Sequence, residues 1–539
     1  MRRTKWVVVT GGVLSGLGKG VVTSSIGRLI KSQGFSVSPV KIDPYINLDA
    51  GTMRPTEHGE VFVTDDGGET DQDLGNYERF LDVSLSKLNN ITTGQVYQKV
   101  ISDERNLKYD GKCVEVIPHI PQEVKRRLKL IGKNSDFVLV EVGGTIGDYQ
   151  NVLFLEALRT MRLEGEPMVF IHVAYLPIPK NIGEMKTKPA QHSVRALNEQ
   201  GIQPDFIVAR SEQPLDEVRR EKLSLFCNVK RNNVISNPDL KSIYEVPIVY
   251  EKQNFGELIF NRFGLKYKKG KLVSWANYVN KIPLFRKKLR IGVVGKYFDI
   301  GNFVLQDSYI SVIEAIKHAS WHSKAQAEII WLNSKEFEKN PLKLSALNNV
   351  HGVIVPGGFG KSGTEGKILA IQYLREHNIP FLGLCFGMQL AVVEFARNVC
   401  NLKGAHTVEI EPNAKHPVID ILPEQKKLLA DNNYGATMRL GSWPATLKKG
   451  TKVHSLYKKD LVNERHRHRY EVNPEYIKIL EDNGLLFSGQ SPDRKLMEFM
   501  ELPGHIFFIA TQAHPEFKSR IMKPAPLFDG FVKACASRL

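Results

Sequence analysis

The sequence predicts an α/β protein of two domains, each built on a mostly parallel β-sheet flanked by helices. Strand-like apolar runs alternate with helix-like runs throughout the chain, and this alternation is typical of parallel sheets. Two strand-to-helix junctions carry chemical groups: a glycine-rich loop at residues 11–20, and a cysteine between two glycines at residues 383–387. The chain of 539 residues is also too long for one hydrophobic core.

The predicted strands form two sets, one in each half of the chain. The first set is 6–10, 37–42, 136–142, 168–174 and 205–209, and the second is 291–295, 328–332, 352–356, 380–384 and 506–510. Between the halves, residues 268–289 are basic, contain Gly and Pro and lack a clear pattern, which is typical of a linker. The predicted domains are therefore residues 1–267, with a P-loop-like glycine-rich loop, and residues 290–539.

The amino-acid composition indicates a water-soluble globular protein. Charged residues make up 24% and apolar residues 42% of the chain, as in water-soluble globular proteins, and no apolar run reaches the roughly 18 residues of a membrane helix. The net charge of +16 is scattered, without a basic stripe interleaved with aromatic residues, so neither nucleic acid nor a membrane is the expected partner. Five widely spaced cysteines indicate reduced thiols and a cytoplasmic location.

A glycine-rich loop, Gly11 to Gly20, follows the first predicted strand and precedes a helix-like run. Its backbone N–H groups and the start of the helix are suited to phosphate oxygens, and Lys19 is placed to reach the outer phosphates. The spacing differs from a regular Walker A loop, and Gly20 stands where a Ser or Thr usually binds magnesium. Magnesium is therefore expected to take other ligands, and the candidates are the acidic loop 69–73 and Glu141 at the end of a strand.

The second junction has the features of a nucleophile elbow. Gly383 and Gly387 flank Cys385 between an apolar strand and a helix-like run, so a tight turn lifts the thiol clear of the sheet. Further along the chain, His514 and Glu516 supply a base and a group that orients it. The pattern predicts acyl transfer through a thioester.

A Pro-Gly-Gly turn that begins at Pro356 follows another apolar strand, and its free N–H groups are suited to bind an oxyanion. With this turn, residues 290–539 resemble a triad-type, class I glutamine amidotransferase domain. The resemblance implies that Cys385 is the nucleophile, His514 the base and Glu516 its orienting partner. It also implies a glutamine site that includes Gly358, Phe386, Gly387, Met388, Gln389, Glu409 and Arg469.

Several longer blocks are more specific than either loop. They are residues 41–47, 51–63, 183–193 and 464–470. With these blocks and both loops, nearly the whole chain resembles the CTP synthase family. The resemblance implies a magnesium-dependent ligase without an organic prosthetic group: ATP phosphorylates the ring 4-oxygen of UTP, and ammonia from glutamine displaces phosphate to give CTP. It further implies a homotetramer that GTP activates and CTP inhibits.

The resemblance also assigns residues to the nucleotide sites. It implies that ATP contacts Ser15, Gly16, Leu17, Gly18, Lys19, Gly20, Asp73 and Asp239. It implies that Asp73 and Glu141 hold magnesium, and that Lys41 stabilises charge during phosphoryl transfer. It implies that UTP and the inhibitor CTP contact Ser15, Lys41, Asp148, Tyr149, Gln150, Lys186, Thr187, Lys188, Gln191 and Lys222.

Two positions depart from the family pattern. Ser362, preceded by Lys361, stands in a loop where the family commonly has Arg, and this loop is associated with the GTP response. A Lys supplies a point charge but not the bidentate fork of an Arg, so the departure puts GTP activation in question. Gln150 stands where many relatives have Glu, which puts CTP feedback in question.

Two other functions compete with CTP synthesis. The first is that of another glutamine-dependent ATP amidoligase, such as a cobyrinic acid amide synthase, whose acceptor is a carboxylate; the blocks at 41–47 and 186–193 argue against it. The second is a non-catalytic, self-assembling scaffold whose sites have decayed. The retained Lys19, Asp73 and Cys385 argue against decay, because a decayed site is expected to lose at least one such residue.

Overall fold

The computed structural model describes residues 3–295, 306–421 and 438–539. The chain divides into two compact units. The first unit is Met1–Thr52 with Thr70–Lys281, and the second is Met53–Glu69 with Ile282–Leu539. A short segment near the start of the chain thus groups with the second half, and we call residues 53–69 the inserted segment.

The first unit is built on a parallel sheet. The strands between residues 3 and 281 are β1 (Lys5–Gly12), β2 (Val37–Asp43), β3 (Phe62–Val63), β4 (Glu69–Thr70), β5 (Asn90–Thr92), β6 (Phe137–Val142), β7 (Met168–Tyr175), β8 (Phe206–Ser211) and β9 (Val234–Pro238). Strands β3 and β4 pair with each other, and the other seven form one sheet in the order β5-β2-β6-β1-β7-β8-β9. All neighbours in this sheet are parallel. Its central strands are buried along nearly their whole length, which is why they appear in the sequence as continuous apolar runs.

Helices connect these strands. They are α1 (Lys19–Ser32), α2 (Pro55–His58), α3 (Asp73–Leu81), α4 (Thr93–Arg105), α5 (Val116–Gly132), α6 (Val152–Leu163), α7 (Lys188–Glu199), α8 (Glu217–Phe226), α9 (Val246–Lys252), α10 (Phe255–Arg262) and α11 (Val273–Val279). Local residues define their ends: Thr92, for example, caps α4 by accepting a hydrogen bond from the Gln95 N–H at 3.1 Å. In parallel α/β sheets, ligands bind beyond the carboxyl ends of the strands, and the loop that follows β1 lies at that edge.

The second unit has a larger, mixed sheet. Its strands after residue 281 are β10 (Lys287–Gly295), β11 (Ala325–Asn333), β12 (Gly352–Val355), β13 (Phe381–Leu384), β14 (Ala405–Thr407), β15 (His416–Ile421), β16 (Arg439–Leu447), β17 (Leu461–His468), β18 (Tyr470–Val472), β19 (Leu486–Gln490), β20 (Met497–Glu501) and β21 (Phe508–Thr511). The main sheet has the order β11-β10-β12-β13-β21-β20-β19-β16-β17, and β14, β15 and β18 form a small sheet. In this sheet, the neighbours β11, β10, β12, β13 and β21 are parallel to one another. Each further pair, β21 with β20, β20 with β19, β19 with β16 and β16 with β17, is antiparallel.

The helices described in the second half are α12 (Ile310–His322), α13 (Ser334–Lys339), α14 (Thr364–Glu376), α15 (Phe386–Asn398), α16 (Lys452–Tyr457), α17 (Pro474–Asp482) and α18 (Pro526–Ala536). Helix α15 is buried on almost every side and begins directly after Cys385. Among the described helices, none combines the length and the apolarity that crossing a membrane requires.

The predicted α/β fold is confirmed, and every predicted strand is present. The antiparallel part of the second sheet was not predicted. Strands β16 and β17 alternate between buried and more exposed positions, so they lack the continuous apolar run that marks a buried parallel strand.

The stretch predicted as a linker, residues 268–289, contains helix α11 and the start of β10, and the two units divide between Lys281 and Ile282. Trp275 of α11 is buried, donates its indole N–H to the Tyr244 carbonyl at 3.0 Å and stacks against Arg28. Through this side chain, part of the stretch packs into the core of the first unit.

Candidate active sites

The glycine-rich loop connects β1 to α1 as predicted for a phosphate site. Gly18 adopts a left-handed conformation (φ 80°) immediately before the helix, which a residue with a side chain would adopt only with strain. Lys19 is buried, and its ammonium donates to the Gly144 carbonyl at 2.9 Å, after the end of β6. Burial lowers the pKa of Lys19, because a buried ammonium loses its hydration. Ser15 and Gly16 are exposed at the tip of the loop.

The structure explains why Gly20 replaces the usual Ser or Thr. A Cβ atom at Gly20 would lie 2.1 Å from Oδ1 of Asp73, much closer than any real contact. The carboxylate of α3 therefore occupies the space that a hydroxyl side chain fills in a regular Walker A loop. This observation supports the expectation that magnesium takes its ligands elsewhere.

Lys41, at the carboxyl end of β2, is the centre of an acidic cluster. Its buried ammonium hydrogen-bonds to Asp73 and, at 3.1 Å, to Glu141, and it lies 3.9 Å from both Asp43 and Asp71. Burial by itself would lower the pKa of Lys41, but the surrounding carboxylates outweigh burial and raise it well above its usual value. The cluster thus holds a permanent positive charge among four acidic groups.

The four carboxyl groups differ in their electrostatics. Burial raises the pKa of Glu141, whose second oxygen also accepts a hydrogen bond from Tyr77. Burial raises the pKa of Asp43 to about 6 and that of Asp71 to about 7, although Lys41 opposes both shifts. Burial also acts to raise the pKa of Asp73, but here the charge and hydrogen bond of Lys41 prevail and lower it. Asp43 and its contacts were not predicted, because its carboxylate adjoins the others only in the folded sheet.

The residues at this site fit a magnesium ion that arrives with a nucleotide. Asp73 and Glu141 both contact the Lys41 ammonium, so two carboxylates converge on one positively charged group. Among the described residues, no group of three or more His, Cys, Asp or Glu side chains is arranged to hold a metal. Magnesium commonly binds one or two carboxylates and completes its coordination shell with phosphate oxygens and water. The two carboxylates of Asp73 and Glu141 fit this coordination.

Four of the residues predicted to contact UTP, Lys186, Thr187, Lys188 and Gln191, lie around the start of α7. Lys186 pairs with Glu184 at 2.6 Å, and Gln191 donates to the hydroxyl of buried Thr187 at 3.1 Å. Lys188 is the first residue of α7, and its ammonium lies 5.8 Å from the centre of the Phe226 ring. Two basic side chains therefore flank a helix N-terminus, an arrangement suited to phosphate.

The other predicted nucleotide residues are more exposed. Asp148 accepts hydrogen bonds from the Thr145 N–H at 2.9 Å and its hydroxyl at 2.8 Å, and Tyr149 beside it is 95% exposed. Asp239 pairs with Arg210 at 2.8 Å. Gln150 and Lys222 are also exposed, and Lys222 lies on α8.

A buried histidine that the sequence did not single out links two parts of the first site. His172 of β7 contacts the Thr10 hydroxyl at 2.9 Å and the Ser193 hydroxyl at 2.6 Å. Thr10 lies in β1, just before the phosphate loop, and Ser193 lies in α7. Burial lowers the pKa of His172 to about 3, so the ring is neutral and acts as a hydrogen-bonding bridge between these elements.

In the second unit, Cys385 occupies a strained turn between β13 and α15. Its φ of 50° with ψ of −103° is unusual for a residue with a side chain, and such strain is typical of a nucleophile elbow. The flanking glycines are required by close packing. A Cβ at Gly387 would lie 2.1 Å from the Val355 carbonyl oxygen, and one at Gly383 would lie 2.8 Å from the Ala510 methyl group.

His514 and Glu516 are aligned with this thiol. The Nδ1 atom of His514 lies 2.7 Å from Oε1 of Glu516, and a Cβ at Gly357 would come within 2.8 Å of the His514 ring and 3.6 Å of the Cys385 Cβ. Burial would lower the pKa of His514, but Glu516 and Cys385 outweigh it and raise the pKa to about 10. The three predicted triad residues are therefore brought together, with the Pro-Gly-Gly turn against them.

The predicted glutamine residues converge beside the elbow. The Gln389 amide donates to the Tyr470 carbonyl at 3.0 Å, and Glu409 accepts a hydrogen bond from the Gly360 N–H at 2.9 Å. The charges of Glu409 and Arg469 both act on the pKa of the Tyr470 phenol, which burial raises. Phe386, Gly387 and Met388 form the buried first turn of α15, and Gly358 follows Gly357 in the turn.

Gln512 was missed by the sequence analysis, although it lies two residues before His514. It is fully buried, and its amide nitrogen lies 3.7 Å from the Cys385 sulfur, while its amide oxygen lies 3.4 Å from the Gln389 amide nitrogen. A buried amide in this position joins the nucleophile to the predicted glutamine site. Its closeness to the His-Pro-Glu run was the available signal.

The comparisons with known proteins agree for both halves. Residues 5–265 match the protein-family model described as the CTP synthase N-terminus, and residues 304–534 match that of class I glutamine amidotransferases. The chain is 54% identical to the CTP synthase of Pyrococcus abyssi, with 98% of each chain covered, and 50% identical to that of Methanocaldococcus jannaschii, with 99% of each covered. A solved structure described as the glutaminase domain of Trypanosoma brucei CTPS with bound acivicin is 36% identical. It covers 46% of this chain and 94% of its own, with a TM-score of 0.42.

Full-length identity of this degree, together with a match in each half, excludes a chance resemblance of isolated motifs. It also disfavours an amidoligase that acts on a carboxylate. The chain therefore belongs to the CTP synthase family, the glutamine-hydrolysing ligases that convert UTP to CTP.

Proposed function

We propose that the chain makes CTP by joining glutamine hydrolysis at Cys385 to the amination of UTP at the Lys41 cluster. The observation that carries this proposal is that one chain holds both sets of groups in working geometry. Cys385, His514 and Glu516 form an aligned triad, and Lys41 contacts two carboxylates beside a phosphate loop. A scaffold with decayed sites has no need to retain either.

Glutamine hydrolysis follows from the triad. His514 takes the proton of the Cys385 thiol, the sulfur attacks the side-chain amide carbon of glutamine, and the N–H groups near Gly358 and Phe386 bind the oxyanion. His514, oriented by Glu516, gives its proton to the departing nitrogen, so ammonia leaves and a thioester remains. Water then attacks the thioester with His514 as base, which releases glutamate and restores the thiol.

UTP amination follows from the first site. Lys19 and the loop N–H groups hold the ATP phosphates, and Lys41 balances the charge that spreads over the transferred phosphoryl group. Phosphorylation turns the ring 4-oxygen of UTP into a leaving group, and ammonia then displaces phosphate. Lys186 and Lys188 bind the UTP triphosphate. Asp73 and Glu141 would hold magnesium, which neutralises phosphate charge when bound.

The finer assignments belong to the same proposal. The remaining nucleotide and glutamine contacts, the domain limits of 1–267 and 290–539, a homotetramer and a cytoplasmic location are expected from the family. GTP is expected to activate, although exposed Ser362 stands where the family commonly has Arg. CTP is expected to inhibit, although exposed Gln150 stands where many relatives have Glu. The +16 net charge accords with polyanionic substrates.

The test is the ultraviolet change as uracil becomes cytosine, measured with UTP, ATP and magnesium. One reaction receives ammonium, and the others receive glutamine with or without GTP. Turnover in all reactions supports the proposal, and a faster reaction with GTP shows that Ser362 does not remove activation. Absence of turnover with every nitrogen source would overturn it.

A further inference from the structure

The inserted segment, residues 53–69, contributes contacts to the glutaminase centre that none of the assignments above uses. It lies in the part of the sequence that matches the synthetase family model, yet it packs within the second unit. Two acidic side chains near its end, Asp65 and Glu69, face strand β17, which runs past the catalytic thiol. Their contacts can be followed atom by atom to Cys385 and His514.

The inserted segment is anchored along its length. Near its middle, the Glu60 carboxylate accepts hydrogen bonds from the N–H of Ser311, at 3.2 Å from each oxygen, and from its hydroxyl. Near its end, the Asp65 carbonyl accepts the Ser442 N–H at 2.8 Å. A Cβ at Gly441, where φ is +84°, would lie 2.7 Å from the Gly67 nitrogen. The backbone of the inserted segment is therefore closely packed against strand β16.

Two charge pairs join the inserted segment to β17. Asp65 Oδ1 lies 2.7 Å from Nε of Arg465, and Glu69 Oε1 lies 2.7 Å from Nε of Arg467. The Arg465 side chain is fully buried, and that of Arg467 is 20% exposed. Residues two apart in a strand point to the same face, so both arginines reach the inserted segment from one side of β17.

The backbone of the same two arginines touches the catalytic groups. The Arg465 carbonyl accepts the His514 N–H at 2.7 Å, and the Arg467 carbonyl lies 3.8 Å from the Cys385 sulfur. Each arginine therefore holds an acidic residue of the inserted segment through its side chain and a member of the triad through its carbonyl.

An aromatic contact supports the same link. Phe62 of the inserted segment meets Phe517 edge-on at 5.1 Å, and Phe517 stacks on the His514 ring at 5.2 Å. The Arg465 guanidinium lies 5.3 Å from the centre of the Phe62 ring. The position of His514 thus depends on the inserted segment through its backbone and through its ring.

We propose that Asp65 and Glu69 are positioning residues for glutamine hydrolysis, which set the place of β17 against Cys385 and His514 through Arg465 and Arg467. This inference rests on the proposed role of the triad. Neither carboxylate touches the thiol, so their removal is expected to slow the chemical step and to leave glutamine binding largely intact. The predicted domain limits leave both residues outside the amidotransferase half.

The test compares full-length Asp65→Asn and Glu69→Gln with the wild type in glutamate release and in CTP synthesis from ammonia. A misplacement of about 1 Å in a catalytic group costs roughly 100-fold in rate. We therefore expect the kcat for glutamine hydrolysis to fall roughly 100-fold below that of the wild type, while KM for glutamine changes little. Synthesis from ammonia should persist in Asp65→Asn, which lies outside the acidic loop 69–73, and this shows that the chain is folded. Glu57→Gln, in an exposed carboxylate of the same segment, is the matched control and should have no effect.

Rescue separates positioning from a general loss of structure. Glu69→Asp keeps the charge and should recover part of the kcat, and the exchange Glu69→Arg with Arg467→Glu should recover more than either single change. Wild-type kcat for glutamine hydrolysis in both Asp65→Asn and Glu69→Gln would overturn the proposal, as would an equal loss of synthesis from ammonia in Asp65→Asn. If Cys385→Ala still hydrolyses glutamine, the triad assignment fails instead, and the two failures are thereby distinguished.

Discussion

Replacing Gly20 by Ala tests the nucleotide site with the smallest possible change. The added Cβ would lie 2.1 Å from Oδ1 of Asp73, whereas ordinary contact begins near 3.4 Å, so the carboxylate must move by about 1.3 Å. That movement disturbs the hydrogen bond that Oδ2 of Asp73 accepts from the Lys41 ammonium. A displacement of about 1 Å in a positioned group costs roughly 100-fold in rate, and this is the expected loss of CTP synthesis from ammonia.

The sign of the stability change is informative as well. In an unobstructed helix, Gly→Ala stabilises by roughly 0.5–1 kcal/mol, because Gly loses more backbone entropy on folding. Overpacking against Asp73 should reverse this effect and destabilise by about 1–3 kcal/mol in urea denaturation. Gly504→Ala, in a turn of the second unit, is the control for an added methyl group without overpacking, since among the described residues no atom beyond its chain neighbours lies within 4 Å of the added Cβ.

The assay is the ultraviolet change from UTP to CTP with ammonium as the nitrogen source. Alkylation of Cys385 by a glutamine analogue, measured in parallel, should proceed at the wild-type rate, because the change lies in the first unit. Wild-type synthesis by Gly20→Ala would refute the reasoning, since it would mean that the position of Asp73 does not matter.

Three further outcomes are expected. Cys385→Ala should abolish CTP synthesis from glutamine and leave synthesis from ammonia, and joint loss of both activities would contradict separate sites. Lys41→Met should abolish both and lower the free energy of unfolding by about 3–5 kcal/mol, because buried Asp73 and Glu141 lose their ammonium partner; unchanged urea denaturation would contradict this. The pKa of His514 is raised from 6.5 to about 10, so its contribution to stability is complete below pH 6.5 and is lost as the pH rises through about 10. Glu516→Gln should lower that pKa, and an unchanged alkaline limb in the dependence of stability on pH would show that Glu516 is not its cause.

The family and the two reaction centres were accessible from the sequence, because the patterns that mark them are local. Glycines around Cys385, the His-Pro-Glu run and the loop before Lys19 each lie within a few residues, and local backbone geometry requires them. The parallel strands were predicted for a related reason: strands buried on both faces carry continuous apolar runs. Strand β16, with its alternating exposure, was missed by the same criterion.

Only the tertiary structure decided which distant residues meet. Asp65 contacts Arg465 across 400 residues of sequence, and no local pattern marks either as the partner of the other. Glu69, a candidate metal ligand by its place in an acidic loop, pairs with Arg467. The sequence by itself identified the family and the candidate groups, because the predicted nucleophile, base and phosphate loop lie in short motifs. The packing of the chain determined which groups hold that chemistry in place, because contacts between distant residues exist only once the sheets have formed.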